Sequence, residues 1–257
     1  MSGSCAVRFL GTGTSHGVPM IGCRCGTCRS SDPRDCRSRP SILLELAGGM
    51  RVLVDTTPDL RGQALAHDLD RVDAILFTHC HADHVMGLDD VRRFNALQGA
   101  AIPCYGDAGT LKEIRRTFAY IFESRDEGGG LPLLNLCPLA GPFSIGGEDI
   151  VPVPVWHGQR TILGFRVRNF AYLTDCSGIP DASWPLLEGL DTLAIDALRH
   201  RPHPTHFTVD QAIGVSTRLG SPRTWLTHIC HDLAHAATNA ALPAGVQLAY
   251  DGLRIDI

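Results

Sequence analysis

Apolar runs of strand length, several stopping at a residue that can bind metal, set the pattern of this chain. Residues 73–77 form one such run, ending at Thr78-His79-Cys80-His81-Ala82-Asp83-His84, and read as a buried strand. Strands predicted over 149–156, 162–167 and 170–174 repeat the arrangement, the first stopping at His157 and the last at Asp175. Residues 193–195 stop at Asp196, and residues 224–227 at His228. Upstream, a loosely alternating stretch over 5–10 runs into the turn Gly11-Thr12-Gly13-Thr14, and 41–46 pairs with 51–55 as a hairpin across Ala47-Gly48-Gly49. Further strands are expected at 102–105, 246–250 and 253–257.

Helical spacing appears between these runs. A short helix begins near Asp59, and Leu88, Val91, Phe94 and Leu97 give residues 88–97 a core-facing stripe. Residues 109–122 and 232–241 also read as helices. A third, over 209–219, is announced by the capping-box text Thr208-Val209-Asp210-Gln211. Residues 123–135 carry Gly128-Gly129-Gly130 and no period, as a mobile, substrate-covering or plain surface loop does. With no repeat and no linker, the order predicts one compact domain over 1–257 with a composite site built from separate strand ends.

The chemistry clusters at those ends. Imidazole and carboxylate are ligands for zinc, manganese or iron, and the turn at 78–84 aims several at one point. Asp55 either caps the following helix or accepts a hydrogen bond behind the ligands. Cys23-Arg24-Cys25-Gly26-Thr27-Cys28 places three thiols where they can converge on one tetrahedral ion, with a fourth ligand to come from elsewhere and Cys36 as one candidate. Gly11-x-Gly13 is no dinucleotide fingerprint, because Gly17-Val18-Pro19 follows where a helix should open. His16 is either site-facing or a solvated loop residue.

Bulk properties narrow the class. At 257 residues, 44% hydrophobic and 19% charged, the chain has ample material for a core. A formal net charge of −4 gives no global attraction to nucleic acid or anionic membrane. Lys112 is the only lysine, so positive charge is carried by arginine, which suits bidentate phosphate recognition. No apolar stretch approaches the ~20 residues that span a bilayer. The first residues lack a signal-peptide pattern, and the ten cysteines are expected as reduced thiols in the cytoplasm.

Taken in order, Thr78-His79-x-His81-x-Asp83-His84, His157, Asp175 and His228 resemble the ligand set of metallo-β-lactamase-superfamily hydrolases. That resemblance implies an α/β (α+β) fold, the αββα sandwich, holding two divalent metals. His79, His81 and His157 would hold one, Asp83, His84 and His228 the other, and Asp175 would bridge them. Gly11-Thr12-Gly13, Gly17-Val18-Pro19 and Gly22-Cys23-x-Cys25-x-x-Cys28 further resemble the PhnP-type phosphodiesterases of the carbon–phosphorus lyase pathway. For the loop at 22–36 this implies a structural zinc on Cys23, Cys25, Cys28 and His231, leaving Cys36 free. His206-Phe207-Thr208 is similar to the position of an assisting histidine in tRNA 3′-processing endonucleases, with His200 and His203 as flanking neighbours that are either solvated or in contact with substrate.

The implied activity is hydrolysis of a small cyclic or nucleotide-like phosphodiester, such as a phosphoribosyl 1,2-cyclic phosphate. Two metals would share and activate the attacking water. His206 would assist the leaving oxygen, and Asp83 would orient the water besides binding metal. The metals could be zinc, manganese or iron. The expected partner is this small substrate, with no nucleic acid and no membrane, and a homodimer allowed. A tRNA 3′-end endonuclease is the first alternative, a lactamase or thioester hydrolase the second, and a metal-stabilised binding module the third.

Overall fold

The computed structural model describes residues 4–123 and 130–257. Two seven-stranded sheets face one another. The first contains β1 (Ala6–Gly11), β2 (Ser41–Glu45), β3 (Arg51–Val54), β4 (Ala74–Leu76), β5 (Ile102–Gly106), β6 (Leu134–Pro138) and the last strand β14 (Arg254–Asp256), in the order β14-β1-β2-β3-β4-β5-β6. The second runs β13-β12-β11-β10-β9-β8-β7, from β7 (Phe143–Ile145), β8 (Glu148–His157), β9 (Arg160–Val167), β10 (Phe170–Leu173), β11 (Thr192–Asp196), β12 (Arg223–Thr227) and β13 (Val246–Leu248). In each sheet an antiparallel meander passes into parallel strands: β3-β4-β5-β6 in the first and β10-β11-β12-β13 in the second. Helices α1 (Leu60–Ala66), α2 (Ala82–Val85), α3 (Arg92–Gln98), α4 (Ala108–Thr117), α5 (Ala119–Phe122), α6 (Val209–Leu219) and α7 (His235–Ala241) lie in the connections.

Strand periodicity explains the layers. Side chains alternate across a strand, so one buried on both faces must be apolar at every position. In β2, Ile42 and Leu44 enter the core between the sheets while Leu43 enters the core under the helices. Val52 and Val54 against Leu53, and Ala74 and Leu76 against Ile75, divide the same way. In the second sheet Phe170 and Tyr172 face the first, whereas Ala171 and Leu173 face the outer layer with Val209, Ala212 and Val215 of α6. Phe94 of α3 and Leu111 and Ile114 of α4 cover the opposite outer face. The result is the αββα sandwich.

Several boundaries differ from the sequence reading. Residues 88–97 are not one helix: a 3₁₀ turn over Leu88–Val91 precedes α3, and Leu97 is exposed. The three-residue spacing of Leu88, Val91 and Phe94 suits the tighter turn, where i and i+3 eclipse. The helix expected over 109–122 breaks at Phe118, whose ring turns into the core. α7 starts at His235 rather than 232, because Asp35, distant in sequence, accepts from the His235 amide at 2.8 Å and fixes where the first turn opens. The sequence pattern does not announce strands β6 and β7, since both are short edge strands with little buried surface. The loop expected over 123–135 falls partly outside the described residues, at 124–129, and its end, Leu134 and Asn135, belongs to β6.

Among the described residues no helix is long and apolar enough to cross a membrane.

Candidate active site

The parallel strands and β8 deliver their carboxyl ends to one rim of the sandwich, where ligands gather in open α/β sheets. β3 precedes Asp55, β4 leads into Thr78–His84, β8 ends on His157, β10 precedes Asp175, β11 ends on Asp196 and β12 precedes His228. Asp55, Asp175 and His228 all have positive φ, at 65°, 53° and 57°. For residues with a Cβ this conformation costs on the order of 1–3 kcal/mol, and it turns each side chain inward just past its strand.

Two groups of donors result. His79, His81, His157 and Asp175 form one, and Asp83, His84, Asp175 and His228 the other, with ligand atoms within 4.8 Å of one another in each. Asp175 belongs to both. Its Oδ1 lies 3.2 Å from His84 Nε2 and 3.0 Å from His228 Nε2, and its Oδ2 lies 3.7 Å from His79 Nε2. Asp83 Oδ2 is 3.5 Å from His84 Nε2 and 3.9 Å from His228 Nε2. Bonds of about 2.0–2.2 Å to a tetrahedral ion separate ligand atoms by roughly 3.3–3.6 Å, so these spacings fit one cation per group.

Orphaned polar atoms make the same point. His79 Nε2, His84 Nε2, both nitrogens of His228 and Asp83 Oδ2 are buried without a hydrogen-bond partner. Such atoms cost free energy unless a partner satisfies them, and a divalent cation in each group would do so. The nitrogens facing away from the groups are mostly engaged. His84 Nδ1 meets Asp55 Oδ2 at 2.7 Å, and His157 Nδ1 donates to the Asp175 carbonyl at 2.7 Å. His79 Nδ1 meets Thr78 Oγ1 at 3.0 Å, while that hydroxyl donates to Asp55 at 2.8 Å. These contacts fix each ring with Nε2 toward the cluster. Burial pushes His79, His81 and His157 below the usual histidine range, toward the neutral form that coordination needs.

His206 stands against this cluster. Its ring stacks on His228 with centroids 4.6 Å apart and meets His157 edge-on at 5.1 Å. His206 Nδ1 contacts Asp196 Oδ2 at 2.7 Å. Burial disfavours charge on either partner, raising the Asp196 carboxyl and lowering the His206 imidazole. The hydrogen bond keeps a proton on the Nδ1 side and leaves Nε2 for a substrate. The Thr208–Gln211 capping box is present and pins the start of α6 two residues later.

A separate group lies beyond His228. His231 Nδ1 is 3.1 Å from Cys23 Sγ, 3.5 Å from Cys25 Sγ and 3.6 Å from Cys28 Sγ. The Cys28 amide donates to Cys25 Sγ and pulls that thiol down to about 6, so it is largely thiolate near neutral pH. Spacing and chemistry suit one tetrahedral zinc. Cys36 is exposed and outside the group.

A model described as a β-lactamase superfamily domain matches residues 50–229. The crystal structure of a diphosphatase from the PhnP family superposes with a TM-score of 0.92 at 46% identity, over 98% of each chain. The chain belongs to the PhnP family of the β-lactamase superfamily. An octanoyltransferase of Porphyromonas gingivalis is 39% identical over 249 residues, which is 95% of this chain and 50% of that protein. A ribonuclease Z of a Bradyrhizobium species is 34% identical over 128 residues, 45% of this chain and 41% of that protein. The chain therefore spans half or less of the length of these curated relatives.

Within this PhnP-family chain, three features escaped the sequence reading. In the sequence Asp196 reads only as the end of a strand, although it follows an apolar run just as Asp175 does. Arg37, fully buried, donates to the carbonyls of Cys230 at 3.0 Å and Leu233 at 2.7 Å and pairs with Asp35 at 3.0 Å, clamping the segment around His231. Asp251 accepts from the amides and hydroxyls of Thr12 and Ser38 at 2.7–2.9 Å, holding the glycine turn beside Ile229. A Cβ on Gly11 would lie 1.9 Å from the Arg39 carbonyl oxygen and one on Gly13 2.8 Å from that of Arg37, so close backbone packing, not phosphate, requires those glycines. Asp55 backs His84 and does not cap α1.

The cysteine group ties residues 23–28 to a segment some two hundred positions away. Cys25→Ser is expected to lose that zinc and lower the melting temperature by several degrees, at ~2–4 °C per kcal/mol for a chain of this size. Its effect on turnover should be the smaller one. Metal analysis with thermal melting checks this; unchanged zinc and unchanged melting would count against a structural site.

Proposed function

We propose that this protein is a di-metal phosphodiesterase acting on small cyclic or nucleotide-like substrates, phosphoribosyl 1,2-cyclic phosphate being the expected type. The observation that carries the reading is the Asp196–His206 pair set directly against a cluster whose central carboxylate, Asp175, faces both donor groups. His79, His81 and His157 would hold one metal, Asp83, His84 and His228 the second, with Asp175 between them. When bound, such a pair supplies Lewis acidity at the phosphoryl oxygens and lowers the pKa of water.

The chain's own groups do the rest. Asp83, which the structure keeps partly accessible, accepts a hydrogen bond from the attacking water and aims it at phosphorus. His206 Nε2 faces the departing oxygen and gives it a proton, while Asp196 holds the opposite side of the ring and steadies the charge. A phosphodiester's own negative charge favours the protonated imidazole against the pull of burial. The similarity to a PhnP-family diphosphatase supports chemistry at phosphorus, and diphosphate diesters belong among the substrates to be tried.

The test is a panel: bis(p-nitrophenyl) phosphate, a ribosyl 1,2-cyclic phosphate, a dinucleoside diphosphate, a pre-tRNA and a chromogenic lactam. We expect turnover of the first two at least, and none of the lactam. Lactam hydrolysis without phosphodiester hydrolysis would overturn the reading. Cleavage of pre-tRNA at its 3′ end in preference to the small diesters would replace it with the endonuclease activity.

A further inference from the structure

His228 is held differently from most histidines of the donor groups. His79, His84 and His157 each have a bond behind the ring, to Thr78, Asp55 and the Asp175 carbonyl. Neither nitrogen of His228 has a hydrogen-bond partner among the described residues, so no bond behind the ring orients it. The ring only stacks on those of His206 and His84. What aims it is the backbone, in the left-handed conformation at φ 57°. A residue with a Cβ keeps that conformation only where its surroundings hold it there.

The holding contacts come from the glycine turn. The Ile229 amide donates to the Thr12 carbonyl at 2.8 Å, and the Thr14 amide to the Ile229 carbonyl at 3.2 Å, so the residue after His228 is clasped on both sides. One carboxylate fixes the turn. Asp251 Oδ1 accepts from the Thr12 amide at 2.9 Å and hydroxyl at 2.7 Å, and Oδ2 from the Ser38 amide and hydroxyl, both at 2.7 Å. The Ser38 carbonyl then accepts from the Gly13 amide at 2.8 Å. Asp251 is itself anchored, since the Gly252 amide donates to the Phe9 carbonyl at 2.7 Å and the Phe9 amide to the Leu253 carbonyl at 2.8 Å.

We propose that Asp251 is a positioning residue for the catalytic metals: as a carboxylate it locks the glycine turn, and through that turn it sets His228 at the group formed with Asp83, His84 and Asp175. It touches no ligand and no substrate. The inference rests on the di-metal reading of the His/Asp groups and adds a remote residue on which their affinity depends.

The lock is conditional on charge. All four contacts need an acceptor, and a protonated carboxyl carries an O–H where one acceptor was. Burial holds this carboxyl up at about 6 against the pull of its four donors. Because burial raises it, protonation eases folding as a whole when pH falls through that value; what is lost is the tie, not the fold. A cavity of about 640 Å³ reaches it. Around it, Arg37 and Asp59 are paired with Asp35 and Arg39, burial keeps Cys36 and His67 toward their neutral forms, and Arg61 and Asp90 line the cavity with opposite charges.

The test is calorimetric zinc binding to full-chain protein that keeps its cysteine-bound zinc, comparing wild type with Asp251→Asn at about pH 7.5 and about pH 5, either side of the carboxyl's titration. Asparagine keeps the size but turns an NH2 group toward one of the two amides, presenting a donor as the protonated acid does. At the higher pH the variant should bind one of the two ions about tenfold more weakly, the low end of what losing a ligand-orienting group costs. At the lower pH that gap should shrink severalfold, because the wild-type carboxyl is then mostly protonated as well. Competition from protons on the histidines is common to both proteins and cancels. Equal affinities at the higher pH, or a gap of the same size at both, would overturn the proposal; the second is what a residue serving only the fold would give. If Asp251→Asn does not fold, Ser38→Ala decides. It removes one donor, pushes the carboxyl higher, and should move the acid loss of affinity to higher pH, whereas a curve superimposable on wild type counts against the lock. Wild-type protein that binds no ion beyond the cysteine-bound zinc would fell the di-metal reading, and this inference with it.

Discussion

Asp175→Ala should abolish phosphodiester hydrolysis and empty both His/Asp groups of metal, while zinc on the cysteine group is kept. No other side chain belongs to both groups, and its two oxygens face histidines of different groups at 3.0–3.7 Å. Without it, the imidazoles lose the charge that lets two cations approach one another. The loss should far exceed the ~10–100-fold typical of altering a residue that only orients a ligand, which is the expectation for Asp55→Asn behind His84. Metal analysis and turnover on the same preparations separate the cases. Retention of two metals in Asp175→Ala would mean that the groups are held apart by something else.

His206→Ala should slow turnover by roughly two to four orders of magnitude, the range that a positioned proton donor supplies. Unlike the first variant, it should keep its metals. Substrates with a good leaving group, such as p-nitrophenolate, should suffer less than those releasing an alkoxide, because they need the proton less. Asp196→Asn tests the partner: it still occupies the space beside Nδ1 but no longer favours an imidazolium there. It should reproduce part of the defect in turnover with little change in KM. Loss of metal in His206→Ala would instead make His206 a ligand, consistent with its place beside Asp196 and His228.

These residues were legible in the sequence to different degrees, for physical reasons. His79, His81, Asp83 and His84 announce themselves because four ligand types are crowded into one turn. His157, Asp175 and His228 stand out singly, each just past an apolar run, and the sandwich brings them together because those strand ends share one rim. Asp196 has the same signature and received no role, since a lone acidic residue after a strand is common and only the 2.7 Å contact reveals its partner. The buried Arg37–Asp35 pair and the Asp251 tie span many residues, and no local period encodes them. Local signals served well where they were strong: α6 begins where its capping box places it. They failed at the edge strands β6 and β7, and at α7, whose first amide is satisfied by Asp35 from the other end of the chain. Division of His228 and His231 between two sites came from the family resemblance. In the structure His228 Nε2 lies toward Asp175 and His231 Nδ1 toward the cysteines.

The most direct test returns zinc or manganese stepwise to metal-stripped protein while bis(p-nitrophenyl) phosphate hydrolysis and bound metal are followed together. The account predicts that activity climbs as the His/Asp groups fill and levels off at about two equivalents beyond the one held by the cysteines. Full loading of those groups with no phosphodiester hydrolysis would contradict it.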